Sequence, residues 1–186
     1  MFNLRLIVLS FMMGQLSCND GPVDKSCFEL RTTKRADDCC KIPDILVESD
    51  ESMVRRCFAQ QNKTLDEHET AKCAAECIAR ELGTFKNGAL DKELAKKVLL
   101  GRLDKDKNFK PIVGGVLDKC LGRINAVIEK ESKRNGTCNA TANFLFDCAE
   151  QGLFENCPSS VWDSNDGCVE LKNKLAQGCP YSAIAE

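Results

Sequence analysis

The residues with the greatest chemical capacity in this chain are its thirteen cysteines. Cys73 and Cys77 enclose Ala-Ala-Glu inside a helical pattern. Cys120, Cys138, Cys148, Cys157, Cys168 and Cys179 follow, the last five at steps of nine to eleven residues. Thiolates can bind zinc, attack carbonyls or oxidise to disulfides, and spacing separates these uses. At i and i+4 on a helix, Cys73 and Cys77 lie on one face, one turn apart. Their parallel Cα–Cβ vectors disfavour a mutual bridge, so each sulfur reaches a different element. A helical C-x3-C also lacks zinc-knuckle geometry, and an oxidising compartment favours disulfides, so no metal or other cofactor is expected. Twelve cysteines allow about ten thousand pairings, and spacing alone leaves the connectivity open.

Catalysis has little to stand on. The one histidine, His68, lies in Asp66-Glu67-His68-Glu69. As a general base it needs a nucleophile or water held within reach, and no motif supplies one. A histidine among acids at a helix start reads as a solvated surface residue. Secreted phospholipases are also helical and cysteine-rich, but they need a Cys-Cys step running into His-Asp and a glycine-rich calcium loop. Here Cys39-Cys40 runs into Lys41-Ile42-Pro43. No enzyme is expected.

Helices must position the sulfurs. Pro43 can open a first helix running through Ile45, Leu46, Val54, Cys57 and Phe58. Asp66, Glu67 and Glu69 favour the start of the next, over about 70–82, which carries Cys73 and Cys77 among small residues and stops at Gly83. A turn follows at Phe85-Lys86-Asn87-Gly88. Asp91 then starts a helix carrying Leu94, Val98, Leu99 and Leu103. The longest amphipathic pattern covers 109–131, with Val113, Leu117, Cys120, Ile124, Val127 and Ile128 on one face. Phe144, Leu145, Phe146 and Cys148 mark a further helix ending near Gly152, and Val169, Leu171 and Leu175 a last short one. Period-two alternation is nearly absent, so no sheet is expected and the fold class is all-α.

Residues 1–18 read as a signal peptide: Arg5 supplies charge, Leu6 to Met13 a short apolar core, and cleavage after Ser17 or Cys18 is expected. Cleavage after Cys18 leaves twelve cysteines. The apolar run is too short to span a bilayer and no later run approaches that length, so no transmembrane segment is expected. The remaining 168 or so residues, 19–186, suit one domain with one core. Asn62, Asn135 and Asn139 head glycosylation sequons. The basic run 31–35 reads as a solvated segment. A formal net charge of −2 argues against a nucleic-acid partner.

The ladder Cys57, Cys73-x3-Cys77, Cys120, the extra Cys138, Cys148-x8-Cys157-Pro158, Cys168 and Cys179 resembles the insect odorant-binding proteins, specifically the Plus-C subgroup, over most of the mature chain. The resemblance implies a compact disulfide-stapled bundle of about six to eight helices around an apolar cavity, with extended N- and C-terminal segments, the latter from about residue 158. It also implies bridges Cys57–Cys77, Cys73–Cys148 and Cys120–Cys157, with Cys27, Cys39, Cys40, Cys138, Cys168 and Cys179 also paired and their partners left open. The function implied is secreted carriage of small hydrophobic molecules, odorants or lipids, through sensillum lymph or haemolymph. The partners implied are the ligand itself, a chemosensory receptor or another odorant-binding protein, with the carrier a monomer or dimer.

The candidate pocket lining is Phe85, Leu94, Val98, Leu99, Leu103, Ile112, Val113, Val116, Leu117, Phe144 and Phe146. An apolar pocket of a few hundred cubic ångströms, its walls held by staples, would gain about 25 cal/mol per Å² of buried apolar area from a ligand. Micromolar affinity needs about −8 kcal/mol. The C-terminal segment, with Trp162, Tyr181 and Ile184, supports a second function: a secreted interaction module whose own tail fills the pocket and which binds a protein. A saposin-like membrane-binding protein fits less well, because it has no Cys-x8-Cys-Pro step. With one histidine, any pH response must come from carboxylates.

Overall fold

The computed structural model describes residues 25–45, 51–61, 65–131 and 138–185. The signal peptide 1–18, Cys18, Asn62 and Asn135 lie outside the described residues.

Among the described residues, a 3-10 turn at Lys25–Phe28 leads into eight helices: α1 (Ala36–Cys39), α2 (Glu51–Ala59), α3 (Glu67–Glu81), α4 (Lys92–Leu103), α5 (Lys110–Glu131), α6 (Thr141–Glu155), α7 (Asp166–Ala176) and α8 (Ser182–Ala185). The helix starts follow from short polar side chains. Asp66, Asp91 and Asn165 each accept the backbone N–H three residues on, at 2.8, 3.0 and 3.0 Å, satisfying donors that have no partner inside the helix. The helix expected from Pro43 is corrected: 41–44 is irregular, and the described helix begins at Glu51.

The expectation of no sheet also needs correction, though a small one. A two-stranded antiparallel hairpin joins α3 to α4, β1 (Phe85–Lys86) with β2 (Ala89–Leu90), Phe85 opposite Leu90. Its turn is Asn87-Gly88, with φ of +53° and +78°, the left-handed pair that a two-residue hairpin turn requires. Each strand is two residues long, too short for alternation to register in the sequence.

Helix α6 is the central element. Its Ala142 packs against Ala75 and Ala79 of α3, small residues that let the two helices approach closely. On another side it meets α5, whose Val113, Leu117, Cys120 and Ile124, with Phe109 in the turn just before it, recur at three and four residues and are at most 2% exposed. At its C-terminal end Phe154 lies edge-on to Trp162, ring centroids 5.5 Å apart, and 5.8 Å from the Tyr181 ring. The C-terminal segment is therefore part of the core: Tyr181 and Ile184 are buried with α1, α6 and α7.

Among the described residues, six disulfides close the bundle: Cys27–Cys179, Cys39–Cys168, Cys40–Cys157, Cys57–Cys77, Cys73–Cys138 and Cys120–Cys148. Cys73 and Cys77 do reach different partners. The implied bridges Cys73–Cys148 and Cys120–Cys157 are corrected, and the reason is positional. Cys138 sits immediately before α6, where Asn139 N donates to Glu76 Oε2 of α3 at 2.6 Å, so Cys138 is beside Cys73. Cys148 lies two turns further into α6, on the side facing α5, and meets Cys120. Cys157 is past the end of α6, where the chain passes Cys39 and Cys40: Asp163 N donates to Cys39 O at 2.9 Å and a single β-bridge pairs Cys40 with Trp162. Of the six additional cysteines, Cys138 takes Cys73 and Cys40 takes Cys157.

Candidate ligand site

Where α3, α4 and α6 splay around the hairpin, the structure leaves an apolar cavity of about 10 Å³. Its lining is Ala79 from α3, Leu82 at the C-cap of α3, Thr84 from the connection, and Leu90 from β2. Ala95, Val98 and Leu99 of α4 and Ala142, Leu145 and Phe146 of α6 complete it. The floor is fully packed, with Ala79, Ala95, Leu99, Ala142 and Leu145 at most 2% exposed. The outer wall, Leu82, Leu90, Val98 and Phe146, is only part-buried. A space of this size has room for about one water, not the few hundred cubic ångströms expected, because alanines bring α3 and α6 together and Phe146 occupies the gap.

Of the residues expected to line a pocket, Val98, Leu99 and Phe146 do so. Phe85 is beside them, buried with Ala75, Ala79 and Ala142 under the Arg80 guanidinium, 5.5 Å from the ring centre. Leu103, Val113, Val116 and Leu117 are buried in the main core between α4, α5 and α6. Ile112 and Phe144 pack on the margin of that core, Phe144 beneath Arg123 at 5.3 Å, and Leu94 is part-exposed on α4. The sequence reading missed Ala79, Leu82, Thr84, Leu90, Ala95, Ala142 and Leu145. Small residues on the inward faces of three helices were the available signal, since alanine at a helix contact leaves either a close approach or a space.

The hairpin is anchored over this cavity by the buried Phe85 side chain and by hydrogen bonds at its base and its tip. Thr84 O accepts from Asp91 N at 2.8 Å, and Asn139 Nδ2 lies 3.4 Å from Gly88 O. Asn139 also organises the start of α6: its side-chain oxygen accepts from Thr141 N and Thr141 Oγ1 at 2.9 and 2.6 Å.

Titratable groups cluster elsewhere. Glu150 of α6 has its pKa pushed up to about 7 by burial, with Asp147, Asp37 and Asp44 adding repulsion. Tyr181 is pushed up by burial and then by Glu150 and Asp37. This cluster lies under the C-terminal segment and contributes no residue to the cavity lining. His68 is in the first turn of α3 and its side chain is not among those described. Among the described residues no cluster of His, Cys, Asp or Glu could hold a metal ion, and no helix is long and apolar enough to cross a membrane.

A helical bundle laced by this many disulfides, with an apolar space between its helices, fits the insect odorant-binding class. The chain belongs to that class: the family described as AgamOBP47-like matches residues 43–174, and it is a binding family, not an enzyme family. Among relatives, General odorant-binding protein 67 of Anopheles gambiae is 28% identical over 192 aligned residues, covering 97% of this chain and 87% of that one. Odorant-binding protein 47 of the same mosquito is 24% identical, covering 96% and 80%. The cysteine count agrees with the Plus-C subgroup.

Proposed function

We propose that this protein is a secreted carrier that takes one small, compact hydrophobic molecule into the space between α3, α4 and α6. The observation that carries this is the apolar cavity with an alanine floor and a part-exposed outer wall. Names of the relatives, odorant-binding proteins both, supply the ligand class. Entry requires the outer wall to move: Phe146 swings outward or the hairpin, with its two-residue strands, lifts, and the ligand replaces the displaced contacts. The signal peptide is removed on export, after Ser17 or Cys18, leaving a single domain within 19–186.

The near-full interior favours a second function, an interaction module with no small ligand. Tyr181 and Ile184 fill the core at the far end of α6, and an open polar groove of about 680 Å³ runs between residues 29–31 and α7.

Titration of the oxidised protein with an environment-sensitive lipophilic dye separates the two. A carrier saturates near one dye per chain, apolar volatiles displace it, and Val98→Phe, which fills the cavity from its outer wall, abolishes binding while the protein stays folded. No saturable binding by the folded wild type overturns the carrier function.

A further inference from the structure

Thr84 is the one polar side chain among the ten residues lining the cavity, and it is 4% exposed. It follows Gly83, whose φ of +74° ends α3. There Thr84 N and Thr84 Oγ1 both donate to Ala79 O, at 2.8 and 3.0 Å, occupying both lone pairs of that carbonyl. The hydroxyl proton is therefore committed to the helix end. What Thr84 Oγ1 retains is acceptor capacity, and among the described residues it accepts no hydrogen bond.

A buried acceptor in an otherwise apolar space imposes a chemical preference, because a polar ligand atom desolvated there needs a partner of the opposite kind. An ether, ester or aldehyde oxygen, being acceptor-only, gains a partner at Thr84 only by taking the hydroxyl proton from Ala79 O, whereas an O–H group donates to Thr84 Oγ1 without that loss. Resting on the cavity assignment above, we propose that Thr84 is a specificity-determining residue. It makes the site select compact hydroxyl-bearing apolar molecules, alcohols and phenols, over carbonyl compounds and ethers of the same shape. The alanine walls from Ala79, Ala95 and Ala142 set the compactness, and Thr84 sets the functional group.

The experiment measures dye displacement by 4-methylphenol and its methyl ether, 4-methylanisole, on wild type, Thr84→Ser and Thr84→Val. The readout is the ratio of the ether's Kd to the phenol's, which cancels their shared apolar contribution. Val keeps the shape and deletes the acceptor, so the ratio falls about fivefold, the usual effect of one hydrogen bond, through weaker phenol binding with the ether unchanged. Ser retains the wild-type ratio. An unchanged ratio in Thr84→Val, or equal weakening of both ligands, overturns the assignment and leaves Thr84 as a helix-end clamp. Wild type that binds dye but neither compound overturns it too. Wild type that binds no dye at all overturns the cavity as a ligand site, and the Thr84 assignment with it.

Discussion

Replacement of Gly152 by alanine tests how firmly α6 is held against α5. A Cβ at Gly152 would lie 2.6 Å from Val116 Cγ1 and 3.5 Å from Cγ2, inside van der Waals contact. Val116 is buried at 6% exposure, and a valine in a helix has one strongly preferred rotamer, so it does not swing aside cheaply. The helices cannot simply separate, because Cys120–Cys148 ties them. Two effects compete. Alanine in a helix interior is favoured over glycine by about 1 kcal/mol. Overpacking of a tight core contact costs about 1–3 kcal/mol. With neither the side chain nor the backbone free to give, the clash falls in the upper half of that range, and the net loss is about 1–2 kcal/mol. For a chain of this length that lowers Tm by roughly 2–8 °C, measured by far-ultraviolet circular dichroism under non-reducing conditions. The double variant Val116→Ala/Gly152→Ala removes the colliding methyls and should be more stable than the sum of the single effects, with a coupling of about 1 kcal/mol. A Gly152→Ala protein as stable as wild type would refute this account of the contact.

Glu150 predicts a pH dependence. Its folded pKa, about 7, lies above the ordinary 4.5, so the folded state holds the proton more tightly than the unfolded one. The stabilisation is fully present below pH 4.5 and is lost as pH rises through 7, with a ceiling of about 3 kcal/mol. Thermal unfolding should give a higher Tm at pH 5 than at pH 8, and Glu150→Gln should flatten that difference; an unchanged slope in the variant argues against Glu150 as its source. For connectivity, peptide mapping without reduction should recover Cys73 joined to Cys138 and Cys120 to Cys148, and a Cys73–Cys148 peptide contradicts the structure. Removing the Cys73–Cys138 bridge with paired serines should cost about 2–4 kcal/mol, read as a lowered denaturation midpoint.

Much of the helical scaffold was legible because its signals are local. The three- and four-residue recurrence of Val113, Leu117, Cys120 and Ile124, the Asp91 cap and the Asn87-Gly88 turn each act within a few residues. Partner choice among the sulfurs was not legible, since it depends on which end of α6 lies beside α3 and which beside α5. Cys138 and Cys148 are ten residues apart in sequence but at different neighbours in space. The cavity lining was half-hidden for a related reason. Large apolar residues such as Leu103, Val113 and Leu117 draw attention by their hydrophobicity, but they fill the core completely. Space is left where residues are small, and an alanine is uninformative until its facing neighbour is known.

The arrangement of the bridges also sets the order in which the molecule can be completed. Cys57–Cys77, Cys73–Cys138 and Cys120–Cys148 each close within the middle of the chain. Cys27–Cys179, Cys39–Cys168 and Cys40–Cys157 instead join residues 152, 129 and 117 positions apart. During synthesis Cys27, Cys39 and Cys40 emerge more than a hundred residues before their partners. Throughout elongation these early thiols face the cysteines of the middle as unintended partners. The full native connectivity is therefore reached only once Cys179 is available, with exchange among sulfurs correcting earlier pairings. Its yield in a host cell will track the supply of disulfide isomerase more than the rate of translation.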